Sequence, residues 1–140
     1  MRTATAKIGA AFMLAAASVG VSHATAGAQS EDGQLVRYTL TSATAADFQL
    51  NYLTAQPPSK EAYNADAYAY LKKEQVVLQP GVPWVFETRM EDPQWAILTA
   101  STGVHAMQAS PNPHCEIAID GQVAVQQDGT YTVQCQLSQW

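Results

Sequence analysis

The sequence predicts an all-β domain, an antiparallel sandwich of immunoglobulin-like size with about seven strands. Three observations carry this. Apolar residues recur at every second position through several short runs. Those runs are bounded by Gly, Pro, Asn and Asp. Two cysteines near the end of the chain both fall on the apolar side of their runs.

The first run, QLVRYTLTS, sets Val36, Tyr38 and Leu40 on one face. ADFQLNYLT repeats the pattern, with Phe48, Leu50 and Tyr52 against Gln49 and Asn51. Residues 59–73 break it. Ser59 suits a helix N-cap and Glu61 the first turn. Tyr63, Ala67, Tyr70 and Leu71 would share one helical stripe, with Lys72 and Lys73 in the last turn. The expectation is an inserted, partly helical loop. Tyr68 and Tyr70 also alternate, so an irregular edge strand is the competing assignment. Alternation resumes in PWVFETRM, with Trp84, Phe86 and Thr88 on one face. In QWAILTAST, Trp95, Ile97 and Thr99 oppose Ala96, Leu98 and Ala100, and both faces are apolar. Cys115, Ile117 and Ile119 then lead to Asp120-Gly121, a two-residue hairpin signal. Tyr131, Val133, Cys135 and Leu137 form the last alternating set.

The chain of 140 residues opens with Arg2 and Lys7, an uncharged, weakly apolar run over residues 8–21, and Ala24-Thr25-Ala26-Gly27-Ala28. This is the layout of a secretory signal peptide, with A-x-A sites after Ala26 and Ala28. A retained membrane anchor is the alternative, but a spanning helix needs about 20 apolar residues. The expected organisation is a signal peptide over residues 1–28, a short linker over 29–34 and the sandwich over 35–140. After cleavage five bases remain against all twelve acids, a net charge of −7. Such a surface argues against nucleic-acid binding and against unaided adhesion to an anionic bilayer.

In an oxidising compartment two cysteines in a small domain are most simply one disulfide. If Asp120-Gly121 and Asp128-Gly129 were both two-residue hairpins, Cys115 would face Gln126 and Gln122 would face Cys135. A flat meander of that kind would hold the cysteines roughly 16 Å apart, and a disulfide needs Cα atoms within about 7 Å. Asp120-Gly121 is flanked by alternating residues on both sides, whereas Asp128-Gly129 follows the polar Gln126-Gln127. The expectation is therefore that the chain leaves the sheet at Asp128-Gly129 and carries Cys135 to the facing sheet or around the edge.

Catalytic and metal chemistry find little support. His114 precedes Cys115, but adjacent strand residues point to opposite faces, and a nucleophilic pair would need a free thiolate. A zinc site needs three or four ligands. After residue 28 the only histidines are His105 and His114, with no CxxC or HxxxH pattern. Asp120 and Asp128 read as turn residues, Glu91-Asp92 before Pro93 as a solvated turn, and no nucleophile elbow or phosphate loop is present. No cofactor is expected. The candidate contact residues are Tyr63, Tyr68 and Tyr70, together with the Pro83-Trp84 edge, because exposed aromatics suit a binding surface. The plainer alternative has the three tyrosines covering the open end of the sandwich.

Three stretches, LVRYTLTSATAADFQLNYL, VVLQPGVPWVF and HCEIAIDGQVAV, with a second cysteine close to the C-terminus, resemble the MmpS family of mycobacterial small membrane proteins, the secreted MmpS-like members above all. The resemblance spans about residues 35–135. It implies an immunoglobulin-like β-sandwich with a Cys115–Cys135 disulfide. It also implies an accessory role beside a large transporter of the resistance-nodulation-division type that exports lipids or siderophores. Two functions follow as expectations. One is an envelope accessory protein that docks on a transporter or other envelope protein through the Tyr-rich segment and the Pro-Trp edge. The other is a free secreted domain that holds an apolar or lipid-like ligand between its sheets, near Trp84 and Trp95.

Overall fold

Two four-stranded antiparallel sheets face each other in the computed structural model, which describes residues 33–140. The signal-peptide segment and residues 29–32 of the linker lie outside the described residues. In chain order the elements are β1 (Gln34–Thr41), β2 (Ala46–Leu53), a short helix α1 (Lys60–Ala65), β3 (Leu71–Leu78), β4 (Trp84–Met90), β5 (Ile97–Ser101), β6 (His114–Ile119), β7 (Gln122–Asp128) and β8 (Thr132–Gln136). The first sheet runs β4-β1-β6-β7 and the second β3-β2-β5-β8. The sandwich expected from the alternation is present, with eight strands in place of about seven.

The predicted inward residues make the core. Val36, Tyr38 and Leu40 of β1 meet Phe48, Leu50 and Tyr52 of β2, and all six are buried. Leu98 and Ala100 of β5, Ile117 of β6 and Val133 of β8 extend it, together with Leu53, Leu78, Met90, Trp95, Ala96 and both cysteines. Buried polar groups are satisfied in place. The Tyr38 hydroxyl donates to the Leu53 carbonyl at 2.8 Å, and burial pushes its pKa well above the phenol's ordinary value. The Tyr52 hydroxyl donates to Glu74 Oε2 at 2.5 Å. Its pKa is also raised, by burial first and by the Glu74 carboxylate second.

The two cysteines are bonded, with a Cα–Cα distance of 6.1 Å. Cys115 lies on β6 of the first sheet and Cys135 on β8 of the second, so the bridge ties the sheets across the core. The hairpin at Asp120-Gly121 forms as expected, with Ile119 opposite Gln122 and both turn residues at positive φ, 49° and 84°. Asp120 adds a clasp: its Oδ1 accepts from the Leu35 N–H at 2.9 Å. A bulge at Ile117/Ala118 shifts the ladder by one, so Cys115 faces Gln127 where a straight hairpin would give Gln126. At Asp128-Gly129 the chain departs from the first sheet and β8 pairs with β5 in the second. The Gly129 N–H donates to the Pro113 carbonyl at 2.9 Å. A Cβ at Gly129 would lie 1.9 Å from the Thr132 carbonyl oxygen, so only glycine fits this crossover.

Residues 59–73 divide three ways. The helical part is α1, capped by Ser59, whose Oγ accepts from the Ala62 N–H at 3.1 Å, with Glu61 in its first turn as expected. A 3-10 turn follows at Ala67–Ala69. Lys72 and Lys73 do not close a helix: they lie at the start of β3, an edge strand of the second sheet, which pairs with β2 throughout. Edge strands carry polar residues on both phases and lysines that discourage further pairing, and LKKEQ therefore mimics a helix end. Trp95 departs from its expected strand as well. It ends a 3-10 turn, Pro93–Trp95, capped by Asp92 Oδ1 accepting from the Gln94 N–H at 3.1 Å.

Candidate interaction surfaces

The five residues singled out as contacts do not form one patch. Tyr63 turns inward from α1, its ring centroid 4.9 Å from that of Trp140 and 6.4 Å from that of Trp95. Tyr70 is half-buried, and its carbonyl accepts from the Thr54 N–H at 2.8 Å and the Thr54 hydroxyl at 3.1 Å. Both fix the inserted segment to the sandwich. Tyr68, at 71% exposed, is the one of the three offered to solvent.

Trp84 and Pro83 separate in the same way. Trp84 lies opposite Leu40 on the inner face of β4, with its ring 4.9 Å from Tyr52 and stacked 6.4 Å from Phe86. With Tyr38 these rings close the side of the sandwich where β4 and β3 are the outer strands. Pro83 is exposed. Around it the chain presents Val77 at 64% exposed, Val82 at 60% and Val85 at 48%. A Gln79–Val82 bridge and Gly81 at φ 76° fold the connection between the sheets. Sequence reasoning picked out Pro83-Trp84 but missed the valines. Their signal is the run VVLQPGVPWV, in which a Pro-Gly turn interrupts residues too apolar for a solvated loop.

At one end of the sandwich a cavity of about 250 Å³ is lined by Thr44, Asp47, Thr102, His105, Gln108 and Tyr131 among others. Residues 102–113 connect β5 to β6 there and expose Val104 and Met107. Beside it the Ser110 hydroxyl donates to the Tyr131 hydroxyl at 3.3 Å, and the Ser42 hydroxyl donates to the Thr44 and Pro111 carbonyls at 2.5 and 3.2 Å. Among the described residues no three His, Cys, Asp or Glu side chains come together as metal ligands.

His114 is occupied with carboxylates. Its Nδ1 is 2.7 Å from Asp128 Oδ1 across the β6–β7 ladder and its Nε2 is 3.1 Å from Glu116 Oε1. Cys115 points to the opposite face and is bonded, so the pair is no nucleophile. Partial burial pulls the imidazole pKa down, and the hydrogen bonds and charges of Asp128 and Glu116 more than offset this, leaving it above 6.5. A histidine with a raised folded pKa stabilises fully below its unfolded pKa and loses that contribution as pH rises through the folded value. Wild type should therefore melt above His114→Gln at pH 5.5 and converge with it above the raised pKa. An imidazole titrating by NMR at or below 6.5 would contradict the pairing.

Residues 38–135 match the family described as the Rv2576c beta-sandwich domain. Uncharacterized protein Rv2576c of Mycobacterium tuberculosis is 40% identical over 109 residues, which cover 77% of this chain and 69% of that protein. Uncharacterized protein Mb2606c of Mycobacterium bovis gives the same identity over the same shares. On a match running from the middle of β1 to the second cysteine of the bridge, the chain belongs to the Rv2576c β-sandwich domain family.

Proposed function

We propose that this is a non-enzymatic, exported domain of the cell envelope that binds a protein partner through the β3–β4 connection, acting beside an RND-type lipid or siderophore transporter as the MmpS resemblance implies. Export is supported by the signal-like N-terminus and by a disulfide that suits an oxidising compartment. The observation that carries the binding surface is the exposed set Val77, Val82, Pro83 and Val85. It lies where the outer strands of both sheets meet in sequence, with edge backbone groups free to pair. Lys72 and Lys73 guard the start of β3, whereas Val76, Val77 and Leu78 at its end are uncharged.

The reading with an apolar ligand between the sheets is not favoured. The places it needs, beside Trp84 and Trp95, are filled by Tyr52 and Phe86 and by Tyr63 and Trp140.

Affinity capture from an envelope extract tests the proposal, with the domain, a Val82→Ser/Val85→Ser variant and Tyr68→Ser as baits. All three sites are exposed, so melting points should stay within a few degrees, as surface changes within about 0.5 kcal/mol allow. The double variant should lose at least tenfold in capture of a transporter or other envelope protein. Undiminished capture by the stably folded double variant, with loss by Tyr68→Ser, would move the surface to the Tyr-rich segment.

A further inference from the structure

Two indole rings face one ammonium group at the other end of the inserted segment, and a tyrosine packs against both indoles. Trp95 and Trp140 meet edge to face, centroids 5.7 Å apart at 84°, and Tyr63 packs edge to face on Trp140 at 77°. Lys60 Nζ stands 5.1 Å from both indole centroids and donates a hydrogen bond to the Gln139 carbonyl. A cation within about 6 Å of a tryptophan face is held by the ring quadrupole, and two faces at once is the arrangement of aromatic cages.

The walls do not depend on the lysine. Trp140 Nε1 donates to the Trp95 carbonyl at 2.7 Å, and the Gln139 N–H donates to the Gln94 carbonyl at 3.1 Å. Ser138 Oγ and Gln139 Nε2 bind Gln94 Oε1 and Asp92 Oδ2 at 2.8 and 3.2 Å. Nor does the lysine owe its place to the helix. Lys60 is the first residue of α1, where a positive charge opposes the helix dipole, and the ion pairs recorded for the lysines of the described residues involve Lys72 alone.

We propose that the facing indoles of Trp95 and Trp140, against which Tyr63 packs, form a binding site for an organic ammonium ion of the choline type, held closed by Lys60 as a tethered competitor. This goes beyond the partner surface at β3–β4 and is independent of it. A primary ammonium brings three N–H donors into the box and has Gln139 as its recorded acceptor. A quaternary ammonium brings none, and recognition of such ions is the established use of this geometry. The native site favours its own lysine because a tethered group acts at an effective concentration in the millimolar range.

Choline chloride titrated against sodium chloride at constant ionic strength, read by tryptophan fluorescence and the indole N–H resonances, tests this. Lys60→Ala should bind choline saturably, at least tenfold more tightly than wild type and than the neutral isostere 3,3-dimethylbutan-1-ol. If Lys60→Ala does not fold, Lys60→Gln keeps the stem and removes the charge, and the same result is expected. No saturable change in the folded variant would overturn the site. Equal binding of choline and its neutral isostere would overturn it too, since the box would then be merely apolar. Sedimentation with phosphatidylcholine vesicles, displaced by free choline, would assign the ligand to a lipid headgroup, and binding of free choline alone to a soluble ion.

Discussion

Cys135→Ser should lower the unfolding free energy by about 2–5 kcal/mol. The bridge spans 20 residues of sequence, and closing such a loop in the denatured chain stabilises by about 3 kcal/mol in the chain-entropy model. Serine adds a second cost. Both cysteines are fully buried on inner faces, so the variant leaves a hydroxyl and a thiol among Leu40, Leu98 and Ile117. Burying an unpaired hydroxyl costs about 1–3 kcal/mol on mutational scales. The double variant Cys115→Ala/Cys135→Ala separates the terms: it keeps the core apolar and should show the cross-link's share alone. Denaturant midpoints measure both. In the native protein neither cysteine should react with a thiol reagent. A Cys135→Ser loss below 1 kcal/mol, or two thiols alkylated without denaturant, would remove the bridge from the account of stability.

That bridge was legible in the sequence because two cysteines in a small exported domain are most simply one disulfide, and the crossover followed from the bridge. A flat meander is too wide for a bridge between two inner-phase cysteines. The chain therefore had to leave the first sheet at Asp128-Gly129, to the facing sheet or around the edge, and β8 does pair with β5 in the facing sheet. The core faces of β1 and β2 were legible because a half-buried strand writes its burial at every second residue. β3 was not, since an edge strand is half solvated on both phases and Leu71–Leu78 buries only its last residue fully. The bulge at Ile117/Ala118 left no mark, because Cys-Glu-Ile-Ala-Ile-Asp-Gly alternates without a break. Of the contact residues, Tyr68 and Pro83 are exposed as a docking surface needs, while Tyr63 and Trp84 are held by partners distant in the chain. Lys60 meets Trp140 across 80 positions, and no local pattern encodes such a closure.

Trp84→Ala should cost about 3 kcal/mol, the lower end for removing an aromatic from a core, because the ring is half-buried. The indole packs edge-on to Tyr52 at 4.9 Å, lies over Phe86 and stands opposite Leu40. Its loss opens the flank between the outer strands, where Tyr52 also holds Glu74 of β3. Trp84→Phe should recover most of the loss by keeping an aromatic face against Tyr52. The two roles of the Pro-Trp edge then part cleanly. If Trp84 fills the core, partner capture by Trp84→Ala falls only with the folded fraction and returns at low temperature, where the variant is folded. If Trp84 itself touches the partner, capture is lost from a variant whose melting point is unchanged. The rings around it predict the first result, and the proposed contact then falls to Val82, Pro83 and Val85, whose side chains stand outside that cluster.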